Sequence, residues 1–251
     1  MLNPMISVTI LTKNSQKTLQ ATLDSLKNFP EVLVFDSGST DATLDIATSY
    51  PNVKIITGQF IGFGPTHNTA SSLASHDWIL SIDSDEVLTP DLSLEILHLH
   101  LDPHSVYQIN RKNYFNGKWI RWCGGWHPDP VIRLYNRKMT RFTDDAVHEK
   151  VIVHDVKIIP LTSFLLHTPY LSMGDFLTKM QSYSTLFAEQ YKGKKHSSMG
   201  KAIAHGWLAF FKSYFLKKGF LGGKEGFIIS AYNGHTTFYK YVKLLEANRR
   251  F

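Results

Sequence analysis

The chain has 251 residues, 43% of them hydrophobic and 19% charged, with a formal net charge of +6. That is enough apolar material for one α/β domain with an appendage, and the single cysteine, Cys123, excludes an internal disulfide framework and suits a reducing compartment. No apolar run approaches the roughly 18 residues of a membrane span, and Met1 to Met5 open no basic-then-apolar leader, so the expectation is a cytoplasmic protein.

In chain order, Ile6 to Leu11 reads as a buried strand stopped by Thr12-Lys13-Asn14-Ser15. Gln16 to Lys27 follows as a helix with Leu19, Leu23 and Leu26 on one face. Glu31 to Phe35 is a second strand, ending in Asp36-Ser37-Gly38-Ser39-Thr40-Asp41, and Ala42 to Tyr50 a second helix. Val53 to Ile56 is a third strand. A Gly-rich turn, Gly62-Phe63-Gly64-Pro65, leads to a helix over Asn68 to Ala74, and Trp78 to Ile82 is the fourth strand. Strands alternating with helices imply an α/β fold with a mostly parallel sheet flanked by helices. Such sheets bind ligands beyond the carboxyl ends of their strands, where Asn14, Asp36, Asp41 and Asp83 all fall.

The most telling pair is Asp83 and Asp85. Side chains alternate along a strand, so Asp-Ser-Asp at its end sends two carboxylates toward one side. Hard divalent cations, Mg²⁺ or Mn²⁺, take such oxygens and share their shell with substrate phosphates. The structural alternative is a turn in which one Asp caps Glu86 to Leu97. Thr12 and Asn14 read equally as nucleotide contacts and as turn residues, and Asp41 reads first as a helix N-cap. His167, ending Phe164-Leu165-Leu166, is a structural histidine or a further metal ligand.

The blocks Ile6–Asn14, Phe35–Asp41 and Ile82–Glu86 resemble the large family 2 of inverting glycosyltransferases with the GT-A fold. Further on, Tyr114–Ile120, Cys123–Asp129, Ile132–Tyr135, Val147-His148-Glu149 and Gly219-Phe220-Leu221 resemble a narrower branch, the β-1,4-glucosyltransferases of bacterial lipopolysaccharide inner-core assembly. The resemblance implies a UDP-sugar donor, with Asp36 accepting a hydrogen bond from uracil, Asp85 the first choice for the metal ligand, and Asp83 nearer the ribose or bridging to the metal. His67 stands where a basic residue usually precedes Asn68 as a diphosphate contact. Trp122 and Trp126 suit the apolar face of a sugar, and Arg133 a phosphate or the acidic loop. An inverting transfer needs a carboxylate to deprotonate the acceptor. The family-like block makes Glu149 the first choice, with Asp129, held between Pro128 and Pro130, the second; Asp144-Asp145 reads as an exposed loop pair.

Charge divides the chain. Residues 1–169, read as the catalytic domain, carry 14 Lys+Arg against 17 Asp+Glu; residues 170–251, read as a helical extension, carry 13 against 4. Aromatics interleave with that basic tail, which suits either docking onto the catalytic domain or contact with an anionic membrane surface; no nucleic-acid motif accompanies it. The resulting expectation is a hexosyltransferase moving glucose from UDP-glucose onto lipopolysaccharide inner core or another anionic glycolipid, peripheral on the inner face of the bacterial inner membrane. The alternatives are another lipid-linked or polysaccharide acceptor, and an inactive nucleotide-binding scaffold.

Overall fold

The computed structural model describes residues 5–145 and 149–249. Two compact units divide the chain: Met1–Arg111 with Asp129–His167, and Lys112–Pro128 with Thr168–Phe251. Lys112–Pro128, read from sequence as part of the 1–169 domain, thus belongs with the C-terminal helices.

In the first unit, β1 (Ile6–Thr12), β2 (Glu31–Asp36), β3 (Val53–Thr57) and β4 (Trp78–Asp83) pair in parallel in the order β3-β2-β1-β4. The helices between them are α1 (Leu19–Asp24), α2 (Thr43–Thr48) and α3 (Phe63–Leu73). Beyond β4 come β5 (Glu86–Leu88), α4 (Pro90–Leu97), β6 (Ser105–Phe115), β8 (Pro130–Asn136) and β9 (Lys157–His167), while β7 (Lys118–Trp119), paired with the last residues of β6, falls in the second unit. The sheet continues from β4 through β8, β6 and β9 to β5, with β4–β8, β6–β8 and β5–β9 antiparallel. The parallel half is buried on both faces because the strand side chains alternate. Val8, Ile10, Val34, Leu80 and Ile82 meet Leu19, Leu23, Leu92 and Ile96 on one face. Leu33, Phe35 and Ile79 meet Ala70, Ala74, Tyr135 and Phe142 on the other.

Two local readings change. The segment after Asp85 is a short strand and then α4, which Thr89 caps through Leu92 N–H at 3.2 Å, so no aspartate caps a helix over Glu86 to Leu97. The expected Gly-rich turn is already the first turn of α3, where Pro65 lacks only an N–H that would have had no helical partner anyway. Gly64 sits there because the 143–145 segment crosses it: its N–H donates to Asp145 O at 3.1 Å, and a Cβ would lie 1.9 Å from Thr143 O.

The second unit holds α5 (Met173–Tyr191), α6 (Met199–Phe211), a π-helical turn (Lys212–Leu216), a 3₁₀ turn (Gly219–Gly222) and α7 (Gly223–Arg249). Ser172 and Asp175 cap α5 reciprocally, and Ser198 caps α6. Its core gathers Phe115, Ile120, Cys123, Phe176 and Ile229. No described helix is long and apolar enough to cross a membrane.

Gly64→Ala should destabilise the protein by about 1–3 kcal/mol, since backbone rather than a pliable side chain meets the new methyl. A lowered urea midpoint at unchanged slope is the expected reading. An unchanged midpoint would show that the crossing at Thr143 is not a tight constraint.

Candidate active site

Parallel pairing brings the ends of β1, β2 and β4 together: Thr12 lies opposite Asp36, and Leu11 opposite Asp83. Asp36 is 1% exposed and already takes four donors. Its Oδ2 accepts from Gly38 N at 3.0 Å and Ser39 N at 2.8 Å, its Oδ1 from Thr12 Oγ1 at 3.1 Å and Ser39 Oγ at 2.5 Å. Burial would raise this carboxyl, but the bonds from Ser39, Thr12 and Gly38 outweigh it and hold the group below its ordinary value. Gly38, at φ +88°, permits the tight return of the loop onto the carboxylate.

The β1 and β2 loops are stitched to one another. Asn14, itself at φ +54°, accepts from Thr40 N on Oδ1 at 2.8 Å and donates its own N–H to Ser39 Oγ at 2.9 Å. Asp41 accepts Thr43 N at 3.0 Å and Gln16 N at 3.2 Å. It therefore precedes the N-cap position of α2, which Ala42 occupies, and ties the loops together instead.

At the end of β4 a buried ion network takes over. Glu86, wholly buried, receives Arg133 Nη2 at 2.6 Å and Arg111 Nη1 at 3.0 Å on Oε1, and Asp83 N at 3.0 Å on Oε2. Arg133 also pairs with Asp83, and Arg111 Nε reaches Asp129 Oδ2 at 2.8 Å. Desolvation would raise the Asp83 carboxyl, yet Arg133, with His67, Arg111 and His167 behind it, holds it well below the usual carboxylate range. Arg133 is thus committed to acidic groups, the second of the two roles open to it from sequence.

Asp85 stands outside this network. Pairing of β5 with β9 sets Glu86 opposite His167, which brings His167 Nε2 to 3.6 Å from Asp85 Oδ2. One oxygen-donor and one nitrogen-donor side chain therefore face each other, with side-chain exposures of 32% and 14%. Asp83, Asp85, Glu86 and Asp129 outnumber Arg111 and Arg133 by two formal charges. Among the described residues no group of three or more His, Cys, Asp or Glu could by itself hold a metal. That fits a hard cation taking one or two protein ligands and completing its shell on phosphate and water.

The other expected site residues have varied surroundings. His67 is 2% exposed, stacked on Phe142 at 4.5 Å, with Nδ1 3.2 Å from Ser81 Oγ. Asn68 pairs reciprocally with the Phe142 backbone at 3.0 and 2.9 Å. Both side chains thus have internal partners where a diphosphate contact was expected. Glu149 is half-buried at the end of the paired segments 141–143 and 150–152, where Val151 makes an isolated bridge to Phe142 in place of the strand read over 151–153. Val147 and His148 lie outside the described residues. Asp144 is exposed and paired with Arg141. Trp122 and Trp126 belong to the second unit, partly buried on its aromatic cluster, with Trp126 O accepting from Asn113 at 2.8 Å. Sequence reasoning missed Glu86 and Arg111 as site residues. The usable signal was a charged residue at an inward strand position, which must be paired when buried.

A mixed α/β sheet with its polar residues gathered at the ends of β1, β2 and β4 is the GT-A-like class. The family model described as glycosyl transferase family 2 matches residues 7–155, and the chain belongs to that family and is a glycosyltransferase. An uncharacterized glycosyltransferase of Rickettsia typhi is 31% identical over 96% of this chain and 87% of its own length. The lipopolysaccharide core biosynthesis glycosyltransferase LpsC of Rhizobium meliloti is 28% identical over 89% of this chain and 85% of its own. A crystal structure of S. aureus TarS 1–349 in complex with UDP is 19% identical, covering 98% of this chain and 92% of that one at a TM-score of 0.47.

Burial pushes the His67 imidazole down to about 4, with Arg133 adding to burial and Asp83 opposing it. The unfolded chain protonates this ring near pH 6.5 while the folded chain does not. Stability is therefore whole above about pH 6.5 and falls as the pH drops toward 4, by up to roughly 1.4 kcal/mol per unit. His67→Gln should flatten the slope of stability against pH across that window. A slope unchanged by the substitution would assign the acid loss to other groups.

Proposed function

We propose that the chain is an inverting, metal-dependent hexosyltransferase that moves glucose from UDP-glucose onto lipopolysaccharide inner core at the inner face of the bacterial inner membrane. The observation that carries the metal-dependent part is the Asp85–His167 pair, set beside a mouth with an excess of negative charge. The similarity to LpsC supports the acceptor class.

Asp85 and His167 would hold Mg²⁺ or Mn²⁺, which supplies positive charge against the leaving diphosphate. Asp83, drawn to Arg133, is left to face the ribose. The loops braced by Asp36, Asn14 and Thr12 offer a preformed floor for the nucleotide, with their backbone already ordered before it arrives. Glu149 takes the proton of the acceptor hydroxyl as its oxygen bonds to the anomeric carbon. The bond from that carbon to the β-phosphate oxygen breaks on the opposite face, and UDP leaves with the electron pair. Asp129, fixed by Arg111 to the same Glu86 that engages Arg133, is the second candidate for the base.

Asp85→Ala should lower UDP release from UDP-glucose by about 10²-fold or more at saturating Mn²⁺ or Mg²⁺, with the melting temperature nearly unchanged. Near-normal turnover would remove Asp85 from the metal site. Binding of UDP-glucose without turnover by the unmodified protein, in the presence of truncated lipopolysaccharide, would favour the scaffold reading; a product on a different acceptor would move the substrate assignment.

For the base, Glu149→Gln should reduce turnover by about 10²-fold or more with donor affinity retained. An active Glu149→Gln beside an inactive Asp129→Asn that still binds UDP would transfer the role to Asp129.

A further inference from the structure

Helix α6 is built inside out. Its buried residues are Ala202 and Gly206, while Ile203, Trp207, Leu208 and Phe211 face outward, Trp207 at 69% and Leu208 at 63% exposure. A helix of a water-soluble domain ordinarily does the reverse, burying its large apolar side chains. The inversion follows from close contact with α7. A Cβ on Gly206 would lie 3.1 Å from Phe238 Cβ and 3.3 Å from Gly234 O, and a Cβ on Gly234 would lie 3.1 Å from Gly206 O. Small residues let the two backbones approach, as they do between helices in lipid, and turn the bulk outward.

The outward row runs at four-residue spacing through Met199, Ile203, Trp207, Phe211 and Phe215, and the following turns add Leu216 and Leu221, all exposed. An apolar groove of about 630 Å³ between α6 and α7, lined by Trp207, Phe210, Phe227 and Phe238, opens among the same side chains. Contiguous apolar exposure on this scale marks an interaction surface. Its charge identifies the partner: residues 190–224 hold eight lysines and no Asp or Glu, and Lys201, Lys212, Lys217, Lys218 and Lys224 are exposed around the row.

We propose that α6 and the turns after it insert into the interface of an anionic lipid bilayer. The apolar row enters the acyl boundary and the lysines meet lipid phosphates, without a membrane span. The inference deepens the membrane-side acceptor reading and rests on it for the setting of the enzyme. A second copy of the chain is the poorer occupant, because a symmetric contact would set two lysine clusters against each other.

The test uses the full chain and no sugar donor, so its failure is separate from failure of the catalytic reading, which UDP release measures. The protein should cosediment with phosphatidylglycerol-containing vesicles and at least about tenfold less with phosphatidylcholine vesicles. Part of that binding should survive about 1 M salt, where the screening length is near 3 Å. Trp207 fluorescence, obtained as the difference from Trp207→Phe, should shift to the blue and be quenched by lipids brominated on their acyl chains. Trp207→Ser with Phe211→Ser and Leu216→Ser should remove the salt-resistant part, and Lys212, Lys217 and Lys218→Ser the salt-sensitive part. Unquenched Trp207, equal binding to both vesicle types, or a stable dimer that the serine variant dissociates would each overturn the proposal; the Trp207 quenching requires no variant beyond the conservative one.

Discussion

A fully buried carboxylate, Glu86, holds the candidate site together. Buried without partners it would be prohibitively unfavourable, so it requires both Arg111 and Arg133 at hydrogen-bond distance. Those two guanidiniums do more than neutralise it. Arg133 turns to Asp83 at the end of a parallel strand, and Arg111 turns to Asp129 at the start of an antiparallel one. Four acidic or basic side chains from β4, β6, β8 and the loop before β8 are thereby fixed relative to one ion. Removing either arginine would leave Glu86 with one guanidinium in place of two and would release Asp83 or Asp129 from its partner. The low exposure of Arg133, at 6%, makes it a structural element of the site before anything else.

At the ends of β1 and β2 the same economy appears with neutral donors. Asp36 and Asn14 spend their side chains on backbone and hydroxyl groups of their own loops. Loops built this way keep one shape in solution, and a bound substrate then has little ordering to complete. The acidic mouth next to them has the opposite character. Asp85 and His167 are drawn together by strand register and stay partly open.

The second unit follows a different packing rule from the first. Unit one buries its large aliphatics on both faces of a sheet and leaves polar groups at the strand ends. In the C-terminal unit, a conventional aromatic core around Phe115 and Phe176 coexists with the glycine-mediated contact of α6 on α7. Gly226, over which the Gly219 carbonyl lies so closely that a Cβ would meet it at 1.9 Å, extends the same principle to the turn before α7. Small residues inside and large apolar ones outside are stable in water only when few residues are involved or when another phase covers them.

Much of this was written locally in the chain. The alternation of buried strand and helix over residues 6–83 and the polar residues at each strand end follow from periodicity and short motifs, because parallel α/β units place loop residues at one edge by geometry alone; the glycosyltransferase family was legible only as a resemblance of those motifs, which the family match over residues 7–155 bears out. The basic, aromatic tail was also visible in composition. What tertiary structure decided was partnership. Sequence placed His67 and Asn68 as ligand contacts, but the crossing 142–145 segment gives both of them internal partners, and that crossing joins residues more than 70 positions apart. The strand pattern marks Glu86 as a charge in need of partners, but only β6 and β8, arriving from elsewhere, supply Arg111 and Arg133 and turn it into the buried centre of an ion network. His167 gained its place beside Asp85 from the register of β9 on β5. Strand pattern and turn chemistry are short-range and can be read one residue at a time, whereas the pairing of charges is set by which distant strands become neighbours.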